Sequence, residues 1–106
     1  MSRRLARIVC GALVWTVPAF AAEAGIDESA LTNLVTQDCG SCHGITLKGG
    51  LGKPLTPEAL EHVDREALED IILHGVPKSA MPGWAGIITD ADAAWIAGAL
   101  KEGRFR

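Results

Sequence analysis

The sequence predicts an all-α fold, one small domain of four to five short helices. Three observations predict it. Apolar residues recur at helical spacing behind polar N-caps in several stretches. Glycine and proline clusters separate those stretches. Finally, a chain of 106 residues with few aromatics buries a modest core and calls for a staple, which the run Cys39-Gly40-Ser41-Cys42-His43 offers.

That run is C-x-x-C-H, the attachment signature of a c-type haem. Cys39 and Cys42 add their sulfurs across the porphyrin vinyl groups. The two residues between them span about one helical turn, which sets the sulfurs at the vinyl separation. His43 then lies under the ring and can give its imidazole to the iron. Other uses of the two cysteines fit less well. A thioredoxin-type redox pair expects a strand before it and a long helix after it, whereas here a helical pattern precedes and a Gly-rich loop follows. A zinc site needs about four ligands, and His62 and His74 form no second closely spaced pair. A structural disulfide leaves His43 unexplained.

Residues 1–21 read as a secretory signal peptide and 22–106 as the domain. Arg3, Arg4 and Arg7 make the charged region, and Ile8 to Phe20 is an apolar run too short for a comfortable membrane span. Ala19-Phe20-Ala21 is an A-x-A cleavage site, with Ala22-Glu23-Ala24 as the alternative. A retained N-terminal anchor is the competing reading. Removing the leader leaves seven basic against thirteen acidic residues, a net charge of −6 before haem propionates. Such a surface argues against nucleic acid, whose binding rests on Lys and Arg. It favours neutral or locally basic protein partners.

The elements follow in order. Asp27 is an N-cap, and Leu31, Leu34 and Val35 form one stripe of a helix from Glu28 to about Asp38 that runs into the C-x-x-C-H turn. Between Gly44 and Leu55, four glycines from Gly44 to Gly52 rule out a stable helix, and no P-loop pattern follows. We expect a loop along one haem edge, glycines where backbone approaches closely, with Leu51 and Leu55 packing on the ring. Thr56-Pro57-Glu58 starts a short helix to about His62. Asp64 opens another, with Leu68, Ile71 and Ile72 inward and Gly75 as its stop. His62 reads as a solvated helix end, and His74 sits at a helix C-terminus, where a cation is favourable. Thr89-Asp90-Ala91-Asp92 is a capping box for a last helix to about Lys101, with Trp95, Ile96, Ala99 and Leu100 inward, Trp95 packing near Leu34, and Gly103 ending it. Trp84 fits either a haem edge or an ordinary core or surface position.

The second iron ligand comes from Val76-Pro77-Lys78-Ser79-Ala80-Met81-Pro82-Gly83-Trp84. Met81 is the only methionine besides the initiator, and it lies in a Pro-bracketed loop rather than in an apolar stripe. Pro82 fixes the backbone beside it. Met81 is therefore the expected axial partner of His43. A filled sixth position suits electron transfer; an open one suits an enzyme or sensor. No nucleophile–base pair or paired carboxylates point to catalysis.

Cys39-x-x-Cys42-His43 followed 38 residues later by Met81-Pro82, with helices at both ends, resembles a class I monohaem cytochrome c across essentially the whole mature chain. The resemblance implies an all-helical fold whose first and last helices cross. Its cofactor would be one covalent haem c with iron. Four segments are also similar to the small periplasmic cytochrome encoded beside haem-d nitrite reductase in denitrifying bacteria. They are Asp38-Cys39-Gly40-Ser41-Cys42-His43-Gly44, Gly49-Gly50-Leu51-Gly52, Leu55-Thr56-Pro57-Glu58-Ala59-Leu60 and Met81-Pro82-Gly83-Trp84. This second similarity implies a periplasmic one-electron carrier; the export signal read above leaves no membrane span in the mature form, and a monomer is expected. It would donate electrons to nitrite reductase in denitrification. The alternative is a haem protein with a labile Met81, acting in d-type haem maturation or as an open-site enzyme or sensor. The chain departs from the family in one place. The family sets Pro directly after the loop glycine and uses its carbonyl to hold the proximal histidine, whereas this chain reads Gly52-Lys53-Pro54. The carbonyl that orients His43 is thereby left open.

Overall fold

The computed structural model describes residues 11–17 and 25–105. The charged region and the Ala19-Phe20-Ala21 cleavage site expected of a leader lie outside the described residues. Among the described residues no helix is long and apolar enough to cross a membrane.

The chain folds into five α-helices: α1 (Glu28–Leu34), α2 (Gly40–His43), α3 (Pro57–Leu60), α4 (Arg65–His74) and α5 (Asp90–Glu102). A π-helical segment, Val35–Cys39, joins α1 to α2 without a break. The helix expected from Glu28 to Asp38 is thus one helical run with a wide turn in its second half. Such a turn shifts the phase of the residues after it, and π segments concentrate at functional sites. There is no strand among the described residues; an isolated bridge pairs Ala85 with Ile88.

The helix ends form for the reasons their residues suggest. The Asp27 carboxylate accepts the Ala30 N–H at 3.0 Å. Thr56 Oγ1 accepts from Ala59 N at 3.3 Å, with Pro57 at the first helical position. The Thr89–Asp92 box closes from both sides, each bond 3.0 Å. Gly75 and Gly103 stop α4 and α5 at φ values of +72° and +71°, a region that strains residues bearing a Cβ.

The core gathers Leu31 and Val35 from the first helical run, Leu60 from α3, Leu68 and Ile72 from α4, and Ala93, Ile96, Ala97 and Leu100 from α5. Ile96 and Val35 are its largest fully buried side chains, each contributing about 1.5–3 kcal/mol of apolar burial. The last helix is the hub, packing most extensively on α4 and also on α3. Alanines and Gly98 let α4 come close, and the Arg65 guanidinium crosses there to donate to the Ala94 carbonyl at 2.9 Å. Lys101 Nζ donates to the carbonyls of Leu60 (2.8 Å), which also accepts the Val63 N–H, and of Val63, tying α5 to the turn that follows α3. Trp95 and Leu34 are both half-buried against this core. The Trp95 indole donates to the Glu28 carboxylate at 3.3 Å, which ties the last helix to the first, and its ring meets Phe105 edge-on at 6.0 Å. Trp84, left open by the sequence, is half-buried and packs against the core.

Candidate haem site

Cys39, Cys42 and His43 share the C-terminal end of the first helical run. Both thiols are free; Cys39 is half-buried and Cys42 exposed. Burial, with the Asp38 carboxylate next to it, pushes the Cys39 thiol up to about 11.

A helix that ends at His43 leaves its last carbonyls without intrahelical donors. The Gly-rich segment folds back to supply them. Gly52 N–H donates to the Cys42 carbonyl and Gly49 N–H to the His43 carbonyl, each at 2.8 Å. This return is so close that side chains would block it. A Cβ on Gly44, which has φ +92°, would lie 2.5 Å from the Gly49 oxygen, and one on Gly52 would lie 2.7 Å from the His43 ring. The loop therefore walls the His43 imidazole, a close approach that the sequence reading assigns to the haem edge. The same return sets the Lys53 carbonyl oxygen 2.7 Å from His43 Nδ1. A carbonyl only accepts, so Nδ1 is the protonated nitrogen, and in the neutral ring Nε2 keeps its lone pair. Lys53 occupies the position directly after the loop glycine. Since the acceptor is backbone, the departure from proline keeps the contact. A carbonyl bonded to the second ring nitrogen in this way fixes the tautomer and ring orientation of a metal-binding histidine.

Met81 is half-buried on the α4–α5 connection, which is also tied to a helix C-terminus. Trp84 N–H donates to the Ile72 carbonyl at 3.0 Å and Ala85 N–H to the Leu73 carbonyl at 2.9 Å. Gly75 and Gly83 make room, since a Cβ on either would come within 2.6 Å of the Met81 or Leu73 carbonyl oxygen, respectively. Before Met81 the chain turns at Val76-Pro77-Lys78-Ser79, where Ser79 N–H donates to the Val76 carbonyl at 3.2 Å and Lys78 takes φ +61°. Proline followed by a positive φ is the residue order of a type II turn. Ser79 then uses its hydroxyl twice, donating to the Val76 carbonyl at 2.7 Å and accepting the Met81 N–H at 3.2 Å. Neither this hydroxyl nor the Lys53 carbonyl was identified from sequence. For the carbonyl the signal was the Gly52-Lys53 spacing; the serine left none.

The other histidines are elsewhere and exposed. His62 lies beside Glu61 at 3.3 Å, and His74 lies 3.5 Å from the Asp70 carboxylate one turn back. Among the described residues no cluster of His, Cys, Asp or Glu could hold a metal ion on its own. The donor set at residues 39–43 instead fits a haem: two free thiols one turn apart, followed by an imidazole with its second nitrogen already bonded.

Comparison with known proteins agrees. Residues 27–98 match the family model described as cytochrome C oxidase, cbb3-type, subunit III. Cytochrome c55X of Paracoccus denitrificans (strain Pd 1222) is 50% identical over 90 residues, covering 81% of this chain and 87% of that protein. The chain belongs to the c-type cytochromes. The cytochrome therefore carries a covalently bound haem c with its iron and is an electron-transfer protein. Its helical fold is that of the c-type cytochrome NirC, whose solved structure aligns with a TM-score of 0.71 at 49% identity, covering 73% of this chain and 91% of that one. A third similarity is partial. Dihydro-heme d1 dehydrogenase of Pseudomonas aeruginosa (strain PAO1) is 42% identical over 60 residues, 57% of the cytochrome but 12% of the dehydrogenase.

Proposed function

We propose that Cys39 and Cys42 hold the haem as thioethers, that His43 and Met81 are its axial ligands, and that the cytochrome is a periplasmic one-electron carrier to haem-d nitrite reductase. The haem supplies a one-electron couple between the two oxidation states of its iron. The protein's part is to hold both ligands in place, so that little rearranges when the electron passes. The hydrogen bond between His43 Nδ1 and the Lys53 carbonyl carries the ligand reading, because it leaves Nε2 as a donor of fixed orientation. Met81 stands on a loop whose backbone bonds and Ser79 hydroxyl hold it from both sides. Thioether ligation favours reduced iron and raises the potential. Residues 1–21 are the export signal of this reading, which places the mature chain in the periplasm.

The partner rests on the four sequence segments shared with the cytochrome encoded beside that reductase. The test is stopped-flow mixing of the reduced cytochrome with purified haem-d nitrite reductase and nitrite. Reoxidation on the time scale of turnover supports delivery. Negligible reoxidation, with nitrite turnover intact from another donor, removes it. The similarity to dihydro-heme d1 dehydrogenase favours a second reading, service in maturation of the d-type haem. On that reading the electron partner is a maturation enzyme rather than the reductase.

A further inference from the structure

In the Gly-rich loop that walls His43, one side chain is buried. Leu47 is 4% exposed and belongs to the core, whereas its neighbours Ile45 and Leu51 are 81% and 95% exposed. Leu47 also takes φ +57°. A residue with a Cβ rarely adopts that conformation, and it persists only where the surroundings enforce it. Here both the backbone and the side chain are held. The Leu47 N–H donates to the Gly44 carbonyl at 2.8 Å, and the Leu47 carbonyl accepts the Leu55 N–H at 2.9 Å. The side chain lines a cavity with Leu55, Leu100 and Phe105.

The Lys53 carbonyl that meets His43 Nδ1 is slung between two anchors. On one side the Gly52 N–H is bonded to the Cys42 carbonyl; on the other the Leu55 N–H is bonded to the Leu47 carbonyl. Only Lys53 and Pro54 lie between them, and both are stiff. Proline has a fixed φ, and the residue before it is confined to extended conformations. The first anchor stands on the helix that carries His43 and moves with it. The second stands on the core beside the end of α5. We propose that Leu47 is a positioning residue for the proximal ligand: seated in the core with a left-handed backbone, it holds the Lys53 carbonyl on His43 Nδ1 and so sets how strongly the imidazole donates to the iron. The inference rests on the reading of His43 as an axial ligand. A carbonyl on the second ring nitrogen raises the basicity of the ligand, and a more basic ligand favours oxidised iron. Loosening Leu47 should therefore raise the reduction potential.

The test compares Leu47→Ala, Leu47→Met and Leu68→Ala as holo-cytochromes. Leu47→Met keeps an apolar anchor of similar volume. Leu68→Ala opens the core on α4, away from this loop. In the reduced, diamagnetic proteins, NMR follows exchange of the His43 ring N–H with D2O, and potentiometry gives the potential. We expect Leu47→Ala to speed that exchange about fivefold, the equivalent of one hydrogen bond, and to raise the potential. Leu47→Met should restore both. Leu68→Ala should lower thermal stability and leave both at wild-type values. Unchanged exchange and potential in Leu47→Ala overturn the proposal, as do equal changes in Leu47→Ala and Leu68→Ala. If Leu47→Ala takes no haem, Leu100→Val, which trims the cavity wall shared with Leu47, should move both readouts in the same direction, and wild-type values there overturn the proposal. The ring-current shift of His43 in the same spectra separates this from the ligand reading. A ring without a large upfield shift is not on the iron, and the ligand reading falls. A strongly shifted ring with unmoved exchange and potential condemns only the role of Leu47.

Discussion

His43 Nδ1 is hydrogen-bonded to the carbonyl oxygen of Lys53 across 2.7 Å, ten residues along the chain. The bond exists because the Gly-rich loop satisfies the last carbonyls of the helix that ends at His43. Helix termination and the orientation of the His43 ring are therefore one structural event.

The acceptor is a main-chain atom, so the side chain at position 53 is free to vary. Lys53→Ala should leave the visible spectrum and the reduction potential unchanged while altering only salt-dependent encounter rates. A shifted potential in that variant would mean that the lysine side chain itself tunes the iron.

Gly52 is a stricter position. Adding a methyl group 2.7 Å from the His43 ring forces either the ring or the loop to move. Gly52→Ala should destabilise the cytochrome by about 1–3 kcal/mol, the usual range for overpacking, and weaken the low-spin spectrum. Chemical denaturation followed at the haem band measures both. Wild-type stability in this variant would show that the loop yields.

Ser79→Ala removes a hydroxyl that joins the Val76 carbonyl to the Met81 N–H. At roughly 1 kcal/mol per hydrogen bond, the loop should loosen without unfolding the domain. We expect the near-infrared band to disappear at a lower temperature than global melting, and Ser79→Thr to restore it.

Before haem attachment the two thiols differ. Cys39 has its pKa raised by burial and by Asp38, to about 11, and Cys42 is exposed. A folded-state pKa above the unfolded value near 9 means that the fold holds the Cys39 proton more tightly. That contribution to stability is complete below about pH 9 and is lost as pH rises towards 11. Iodoacetamide should accordingly label Cys42 before Cys39 in the haem-free chain, as peptide mapping after a short pulse would reveal. Equal labelling would show that residues 39–43 are not structured without haem.

Much of this architecture is legible in the sequence because local chemistry decides it. Asp27, Thr56 and Thr89 cap the helices they precede, and Gly75 and Gly103 end theirs, through bonds made within a few residues. Inward faces follow from spacing, although Ile71 and Trp95 are only half-buried while Ala93 and Ala97 are fully so. Alanine carries little hydrophobic signal, yet it is what lets α4 and α5 approach. The π segment at Val35–Cys39 was missed because a change in hydrogen-bond register has no compositional mark. Leu47 was missed for a related reason: it is buried in the core at φ +57°, a conformation no propensity argument gives to leucine. Lys101 and Ser79 matter through backbone carbonyls and an N–H, partners that sequence patterns do not name.

The near-infrared spectrum of the oxidised protein tests the account most directly, because the proposed carrier has both His43 and Met81 on the iron. Wild-type protein and His74→Ala should both show the weak sulfur-to-iron band, and Met81→Ala should lose it. A band that survives Met81→Ala, or low-spin character that disappears in His74→Ala but not in Met81→Ala, would contradict the account.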